Sequence, residues 1–261
     1  CALAEHIAGT EAAFAELMNA RAAELGMNNT YYTNATGLPD DAQYTTARDV
    51  AILSVEMCRH PDYFKHASVW MDTLTHPSGR VTDLTNTNRL VRFYEGCDGL
   101  KTGSADASRY CLSATAQKDG LRFIAIVLGA ETSQKRFDEA RAMLDYGFAN
   151  YALVPVQEGE PLSPVPVVLG EAGTVQPVPS GEEQLLIDKS LRQSVTRTVE
   201  LEPSVQAPVS QGQRLGTLTV QADGQILAEI PLVAQEGVAR LTWKDLFAGV
   251  LRRICMAGQV E

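Results

Sequence analysis

The sequence predicts an α/β (α+β) domain, then a small all-β domain, then a closing amphipathic helix. Two apolar, β-prone runs, 111–117 and 121–128, flank the turn sequence Lys118-Asp-Gly120, and a helical pattern follows them. Two strands followed by a helix, with further helices upstream, indicate a sheet covered by helices. After residue 153 prolines become frequent and helical periodicity ends, which is typical of a domain boundary. The expected division is 1–153, 154–239 and 240–261.

Composition narrows the possible functions. The 261 residues carry 22 basic and 32 acidic groups, a net charge of −10, without a compact basic stripe, so we expect no nucleic-acid partner. Apolar residues at 45% and charged residues at 21% are typical of a globular protein with a substantial core. No run approaches the roughly 18 apolar residues that a spanning helix requires.

The sequence also predicts no metal and no cofactor. The five cysteines are odd in number and contain no Cys-x-x-Cys pair, which indicates neither a zinc site nor a disulfide framework. His6, His60, His66 and His76 lack metal-binding spacing, and there is no glycine-rich phosphate loop.

Helices are expected first along the chain. Apolar residues recur at helical spacing from Leu3 to Leu25. Gly9 interrupts this run, Thr10 offers an N-cap for its second part and Gly26 ends it. The sequence therefore predicts two consecutive helices.

Two more helices and a pair of strands follow. Thr46 is a suitable N-cap for a helix that runs to about Cys58, and Pro61 begins another. The pattern becomes strand-like at 70–75 and 80–85. Beyond the hairpin described above, a long helix is predicted from about Thr132 or Ser133. The second domain is expected to contain five short strands, at 165–169, 184–187, 195–201, 214–220 and 225–230.

The last segment, residues 240–256, is predicted to be an amphipathic helix. Its apolar face includes Trp243 and Phe247, and its charged positions include Lys244, Arg252 and Arg253. About seventeen residues with these charges are too few to span a bilayer but suit a helix that lies on a membrane surface. Alternatively, the apolar face docks on the β domain, or the segment is an ordinary C-terminal helix.

Two segments are candidates for a binding site. Lys101-Thr102-Gly103 comes directly before the hairpin, where it is expected to open the first strand. An ammonium and a hydroxyl at a strand edge, beside a glycine that admits a ligand, suit an extended peptide ending in a carboxylate. Arg136 lies in the first turn of the following helix, where the helix dipole disfavours a cation. It is a candidate carboxylate clamp, or alternatively an ordinary surface arginine.

These motifs resemble those of the serine-type D-alanyl-D-alanine carboxypeptidases, the low-molecular-mass penicillin-binding proteins of peptidase family S11. Lys-Thr-Gly is one of the signature motifs of this wider group. The resemblance rests on segments at 25–30, 34–38, 44–49, 88–90, 94–103, 110–116 and 126–130 in the first domain, and at 207–212, 216–218 and 231–234 in the second.

The resemblance implies a penicillin-binding, β-lactamase-like transpeptidase fold, a β-sandwich and a membrane anchor on the outer face of the bacterial cytoplasmic membrane. It implies acyl transfer from a cell-wall stem peptide ending in D-Ala-D-Ala, with β-lactams as substrate mimics. Lys101 would be catalytic and would contribute charge and proton transfer. Thr102 and Arg136 would hold the substrate carboxylate beside Gly103, and the Ser104 amide would donate to the oxyanion.

The sequence departs from the family pattern in one respect. No serine has a lysine three positions later or an asparagine two positions later, so the Ser-x-x-Lys and Ser-x-Asn motifs are missing. The family's Ser-x-Asn normally precedes a helix resembling residues 1–8. We therefore expect an N-terminally incomplete domain that is inactive by itself. The alternatives are a β-lactamase-type hydrolase of the same fold and a non-catalytic peptidoglycan-binding or scaffold protein.

Overall fold

The structure is a computed structural model that describes residues 1–159, 161–244 and 247. It divides into two compact units, Cys1–Asn150 and Tyr151–Glu261. Among the described residues, no helix has the length and apolar content that crossing a bilayer requires. Within the same residues, no three His, Cys, Asp or Glu side chains are grouped so that they could hold a metal ion.

The helices of the first unit begin and end largely where the sequence predicts. The Thr10 hydroxyl accepts a hydrogen bond from the Ala13 amide at 3.1 Å, and the Thr46 hydroxyl accepts one from the Asp49 amide at 3.1 Å. These side chains satisfy amides that the first turn of a helix leaves unpaired. The helices are α1 Ala2–Ala8, α2 Glu11–Glu24, α3 Ala47–Cys58, α4 Pro61–Ala67, α5 Leu90–Phe93 and α6 Ser133–Asn150.

The first unit contains a small separate hairpin and a three-stranded antiparallel sheet. The predicted turn is present, with Asp119 and Gly120 both at positive φ, 50° and 80°, as a tight hairpin requires. The hairpin strands are β1 Met71–Thr75 and β2 Val81–Thr85, and the sheet strands, in spatial order, are β3 Cys97–Ala105, β4 Arg109–Lys118 and β5 Leu121–Ala130.

The expected position of Lys101-Thr-Gly103 is wrong. The triplet does not open the first strand of the predicted hairpin but lies in the middle of a strand of its own, β3. Here β3 folds back on β4, which places Lys101 opposite Ser113 and Gly103 opposite Cys111. Among the described residues β3 is an edge strand of this sheet, so one side of its backbone is left without a strand partner.

A compact core joins α6 to the sheet. The helix presents buried side chains to β4 and β5, whose facing residues are mostly small, so that the helix approaches the sheet closely. This packing fixes the first turn of α6 beside the end of β3. The core residues involved are Leu112, Ala114, Ala116, Ala125, Val127, Phe137, Ala140 and Leu144.

Leu144 is expected to be a main contributor to the stability of this unit. Its side chain is 1% exposed, so Leu144→Ala should lower the free energy of unfolding by about 2–5 kcal/mol through lost burial and a cavity. Urea unfolding followed by circular dichroism measures the change. Met143→Ala is the matched control, because Met143 lies on the same helix and is 43% exposed. Equal stability of the two variants would contradict this packing.

Strands dominate the regular structure described in the second unit, together with a 3₁₀ helix at Lys189–Ser194. All five predicted strands are present, and Tyr151–Pro155 is a further strand that pairs with Gln184–Asp188. The strands are β6 Tyr151–Pro155, β7 Val165–Val168, β8 Thr174–Val175, β9 Pro177–Pro179, β10 Gln184–Asp188, β11 Thr196–Leu201, β12 Val205–Gln206, β13 Arg214–Ala222 and β14 Gln225–Ala234.

These strands form short sheets around two clusters of buried aliphatic residues. The largest sheet has the order β11-β13-β14-β9. The predicted helix at 240–256 lies outside the described residues except for 240–244 and 247. Of these, Trp243 and Phe247 are 87% and 68% exposed.

Candidate active site

Lys101 extends from the face of the sheet that is covered by α3. Its ammonium donates a hydrogen bond to the carbonyl of Thr102, the next residue. On this face lies a cavity of about 450 Å³ whose lining is mainly apolar. The lining residues contributed by helices are Val50, Leu53, Ser54, Met57 and Tyr63. The Lys101 ammonium therefore lies between the apolar cavity and the unpaired edge of β3.

Thr102 and Ser104 alternate with Lys101 along the strand and so extend from its opposite face. Thr102 is buried, and its hydroxyl lies 2.7 Å from the hydroxyl of Thr87. Two hydroxyls that share one hydrogen bond retain one hydrogen and additional lone pairs for a ligand. Ser104 is exposed and lines a second, more polar cavity of about 510 Å³ together with Asp106 and Glu131.

The packing of the chain does not require a glycine at position 103. A Cβ atom at this position would meet no atom closer than the Cys111 Cβ at 3.9 Å, and its φ is not positive. The absence of a side chain leaves the outer surface of β3 open to a ligand that lies along the backbone.

Arg136 is buried, in contrast to the alternative of a surface arginine. The side chain is 8% exposed. Its Nη1 donates to the carbonyls of Gly103 at 3.0 Å and Cys111 at 3.3 Å, and its Nη2 donates to Ser133 Oγ at 3.3 Å. Nε is buried without a hydrogen-bond partner. Burial lowers the pKa of this guanidinium from its ordinary value, yet arginine remains charged in proteins.

The guanidinium of Arg136 also lies against two aromatic rings. Its Cζ is 5.5 Å from the ring centroid of Tyr110 and 4.8 Å from that of Phe137. Rings and carbonyls partly replace the water that the cation loses on burial. The structure therefore brings Arg136 to β3 and holds it there, with one N–H of Nη2 left over and Nε unpaired but buried.

Other residues that hold β3 in place were not singled out from the sequence. Asn88 is buried and donates from Nδ2 to the Gly99 carbonyl at 2.9 Å, while the Tyr63 hydroxyl donates to the Leu100 carbonyl at 3.1 Å. Both contacts bridge parts of the chain that are distant in sequence. Segment 88–90 is part of the family resemblance, but the sequence pattern gives Asn88 no specific role.

An ion pair supports the start of the same strand. Arg122 makes two hydrogen bonds of 2.8 Å to the carboxylate of Asp98, and a third of 2.9 Å to Thr115 Oγ1. The hydrogen bond to Asp98 is the main reason that the pKa of Arg122 is raised. Because a bidentate pair fixes both partners, it ties β3 to β4 and β5 next to Lys101.

An edge strand that carries Lys-Thr-Gly, an arginine at its end and a helix-covered antiparallel sheet together define the class of penicillin-binding and β-lactamase-like proteins. Residues 1–132 match the family model described as D-alanyl-D-alanine carboxypeptidase, and residues 154–240 match that of the penicillin-binding protein 5 C-terminal domain. The chain belongs to the D-alanyl-D-alanine carboxypeptidase family, as the sequence motifs predicted.

Individual relatives agree with this assignment. The chain is 35% identical to the D-alanyl-D-alanine carboxypeptidase DacF of Bacillus subtilis, over 92% of this chain and 62% of DacF. It is 32% identical to DacC of Escherichia coli, over 91% of this chain and 59% of DacC. The chain thus spans about three fifths of the length of these curated relatives.

Solved structures show the same fold. Penicillin-binding protein 5 from Haemophilus influenzae is 31% identical, with a TM-score of 0.72, over 92% of this chain and 70% of that one. Penicillin-binding protein D2 from Listeria monocytogenes, in its ampicillin-bound form, is 36% identical, with a TM-score of 0.50, over 56% of this chain and 59% of that one. The predicted combination of an α/β domain with a β-sandwich is therefore confirmed.

Proposed function

We propose that these residues form part of a serine-type carboxypeptidase that removes the terminal D-Ala from cell-wall stem peptides ending in D-Ala-D-Ala. The observation that carries the proposal is the open edge of β3, where Lys101 and Thr102 stand beside the buried cation of Arg136. An extended peptide with a terminal carboxylate can pair with such an edge while its charge is met by the cation.

The reaction consists of two acyl transfers. A serine oxygen attacks the carbonyl carbon between the two D-Ala residues, and the peptide bond breaks as the leaving amine takes a proton. Water then hydrolyses the ester and regenerates the serine. No serine of these 261 residues has the Ser-x-x-Lys or Ser-x-Asn pattern, so we place the nucleophile and its lysine outside them.

Each site residue has a distinct role in this proposal. Lys101 supplies positive charge and assists proton transfer, and the Ser104 amide donates to the oxyanion, where one preorganised donor is worth about 3–4 kcal/mol. Thr102 binds the substrate carboxylate. Arg136 contributes the remaining N–H of Nη2 to that carboxylate, while Nη1 keeps the Gly103 and Cys111 carbonyls in place.

Partners and location follow from the same proposal. One structural relative is solved with ampicillin bound, which supports β-lactams as ligands of the enzyme that contains these residues. We propose that it acts outside the cytoplasm, on the outer face of the cytoplasmic membrane, with the peptidase part at 1–153, the β-sandwich at 154–239 and a membrane-associating segment at 240–261.

The 261-residue chain alone is expected to form no covalent adduct with a fluorescent penicillin, because the acyl-enzyme requires the missing serine and lysine. A denaturing gel detects the adduct. A version that includes the Ser-x-x-Lys and Ser-x-Asn motifs is the positive control and should be labelled and should release D-Ala. A labelled band at 28.2 kDa would contradict the proposed position of the nucleophile.

The alternative of a single-domain β-lactamase is disfavoured by the match of residues 154–240 to the penicillin-binding protein 5 C-terminal domain. A non-catalytic peptidoglycan-binding role remains a second candidate, because the β3 edge and Arg136 are formed without the serine. Binding of a D-Ala-D-Ala peptide to the isolated chain, lost when its carboxylate is amidated, would support that role.

Membrane association is expected to depend on the end of the chain. Trp243 and Phe247 are strongly exposed, and Lys244, Arg252 and Arg253 add positive charge in an otherwise acidic protein. Because apolar and cationic groups together favour anionic lipid surfaces, removal of the residues after Leu241 should abolish co-sedimentation with anionic vesicles. Neutral vesicles are the control, and unchanged sedimentation of the shortened chain would exclude this segment as the anchor.

A further inference from the structure

Two buried serines, one on the sheet and one on the covering helix α3, lie on the side of the sheet from which Lys101 extends. Ser113 is directly opposite Lys101 in the β3–β4 register, and its hydroxyl lies 2.8 Å from the hydroxyl of Ser54 on α3. Ser54 and Ser113 are 5% and 8% exposed. Together with Lys101 they line the 450 Å³ cavity, whose other walls are mainly apolar.

The hydrogens of the two hydroxyls can be assigned from their partners. Ser54 Oγ lies 2.7 Å from the Val50 carbonyl, which can only accept, so Ser54 donates its single hydrogen there. In the bond between the two serines Ser113 must therefore be the donor and Ser54 the acceptor. The hydrogen of Ser113 is used, and its oxygen can only accept a hydrogen bond from a further group.

Lys101 supplies the matching donor. An ammonium carries three N–H donors, and the Thr102 carbonyl occupies one of them. Side chains directly opposite each other on one face of an antiparallel pair have Cβ atoms about 5 Å apart, so the flexible lysine can reach the hydroxyl of Ser113. Ser113 Oγ can accept but not donate a further hydrogen bond. This suits the Lys101 ammonium, because hydrogen bonds from charged donors are stronger than those from neutral donors.

A ligand on the open edge of β3 would displace Lys101 from the Thr102 carbonyl in the proposed reaction. Alternate carbonyls of an edge strand face its open side, and we take those of Leu100 and Thr102, two residues apart, as two of them. A peptide that pairs with the edge competes for these carbonyls. Lys101 then needs an acceptor that the ligand does not take.

We propose that Ser113, held by Ser54, is a positioning residue that accepts a hydrogen bond from the Lys101 ammonium and keeps it over the sheet. The role of this contact in catalysis rests on the function proposed above, but the contact itself does not require turnover. Ser54 contributes indirectly, because it fixes the hydroxyl of Ser113 as an acceptor.

The contact can be tested in the 261-residue chain without substrate. The chain is labelled with ¹⁵N-lysine, and the exchange of each ammonium with water is measured by NMR, with the Lys101 signal assigned by its loss in Lys101→Met. In Ser113→Val, exchange at Lys101 should become about tenfold faster, the factor associated with one hydrogen bond to a charged group. Ser113→Thr retains the hydroxyl at nearly the shape of valine and should restore slow exchange.

Two further variants complete the test. Cys111→Ala, on the same face of β4 two residues away, should leave exchange at Lys101 unchanged. Ser54→Ala acts from α3 and should accelerate exchange to an intermediate degree, so the proposal stays testable if Ser113→Val fails to fold. Equal exchange in the unchanged chain, Ser113→Val and Ser113→Thr, or no protected Lys101 signal in the unchanged chain, would overturn the proposal. Neither result would depend on whether the enzyme is a carboxypeptidase.

Discussion

Replacement of Arg136 by alanine should lower kcat/KM for D-Ala release by about 10²–10³-fold in an active version of the enzyme. Loss of a buried charged partner costs about 2–5 kcal/mol in comparable recognition sites. Here the change removes the cation that meets the substrate carboxylate. It also leaves the Gly103 and Cys111 carbonyls without their hydrogen bonds from Nη1, so the end of β3 loses its support.

The substrate carboxylate offers a way to separate these two effects. A peptide with a C-terminal amide should be a much poorer substrate than the free acid for the unchanged enzyme, and Arg136→Ala should lose most of this discrimination. Arg141→Ala is the matched control, since Arg141 lies on the same helix and its side chain donates to the exposed Phe93 carbonyl, at 3.3 Å. Retained preference for the free acid in Arg136→Ala would contradict the proposed carboxylate contact.

Much of the fold could be predicted because its signals are local. Thr10 and Thr46 were recognised as N-caps from the residues next to them, and Asp119-Gly120 was recognised as a hairpin turn in the same way. Strand β3 was not predicted as a separate strand. Its centre, Lys-Thr-Gly-Ser, has no alternation of apolar and polar residues, so only pairing with β4 defines it.

The candidate site was predictable only in part, for a related reason. Lys101, Thr102 and Gly103 are consecutive and carry their own motif. The partners that define their environment come from elsewhere: Thr87 is 15 residues from Thr102, and Ser54 is 59 residues from Ser113. Nothing in a local pattern reveals such pairs, because the strand register and the packing of α3 create them.

The role of Arg136 was predictable from the sequence only in part. Its position in a first helical turn suggested a specific role, since a cation is disfavoured there. Its burial and its contact with Gly103, 33 residues away, follow from the packing of α6 on the sheet through Phe137, Ala140 and Leu144. The sequence pattern indicated that the residue was unusual, and the tertiary structure shows what it contacts.

Replacement of Lys101 should have the largest effect on activity and the smallest on stability. In an active version of the enzyme, Lys101→Ala should slow acylation by penicillin and release of D-Ala by about 10²–10⁴-fold, the usual range for loss of a group that assists proton transfer. The rate of labelling with a fluorescent penicillin measures this change. Lys118→Ala is the matched control: Lys118 is on the same sheet, but its ammonium lies over the Tyr94 and Phe148 rings, at 4.6 and 5.1 Å from their centroids.

The stability of the same variant distinguishes catalysis from structure. Lys101 is exposed, and the hydrogen bond that its ammonium makes to Thr102 joins neighbouring residues, so its removal, with loss of the proposed contact to Ser113, should lower the free energy of unfolding by no more than about 1.5 kcal/mol. Arg136→Ala, by contrast, should reduce both activity and stability, because Arg136 is buried and ties α6 to β3 and β4. A Lys101→Ala variant that acylates at the normal rate, or loses activity only in proportion to lost stability, would contradict a chemical role for this lysine.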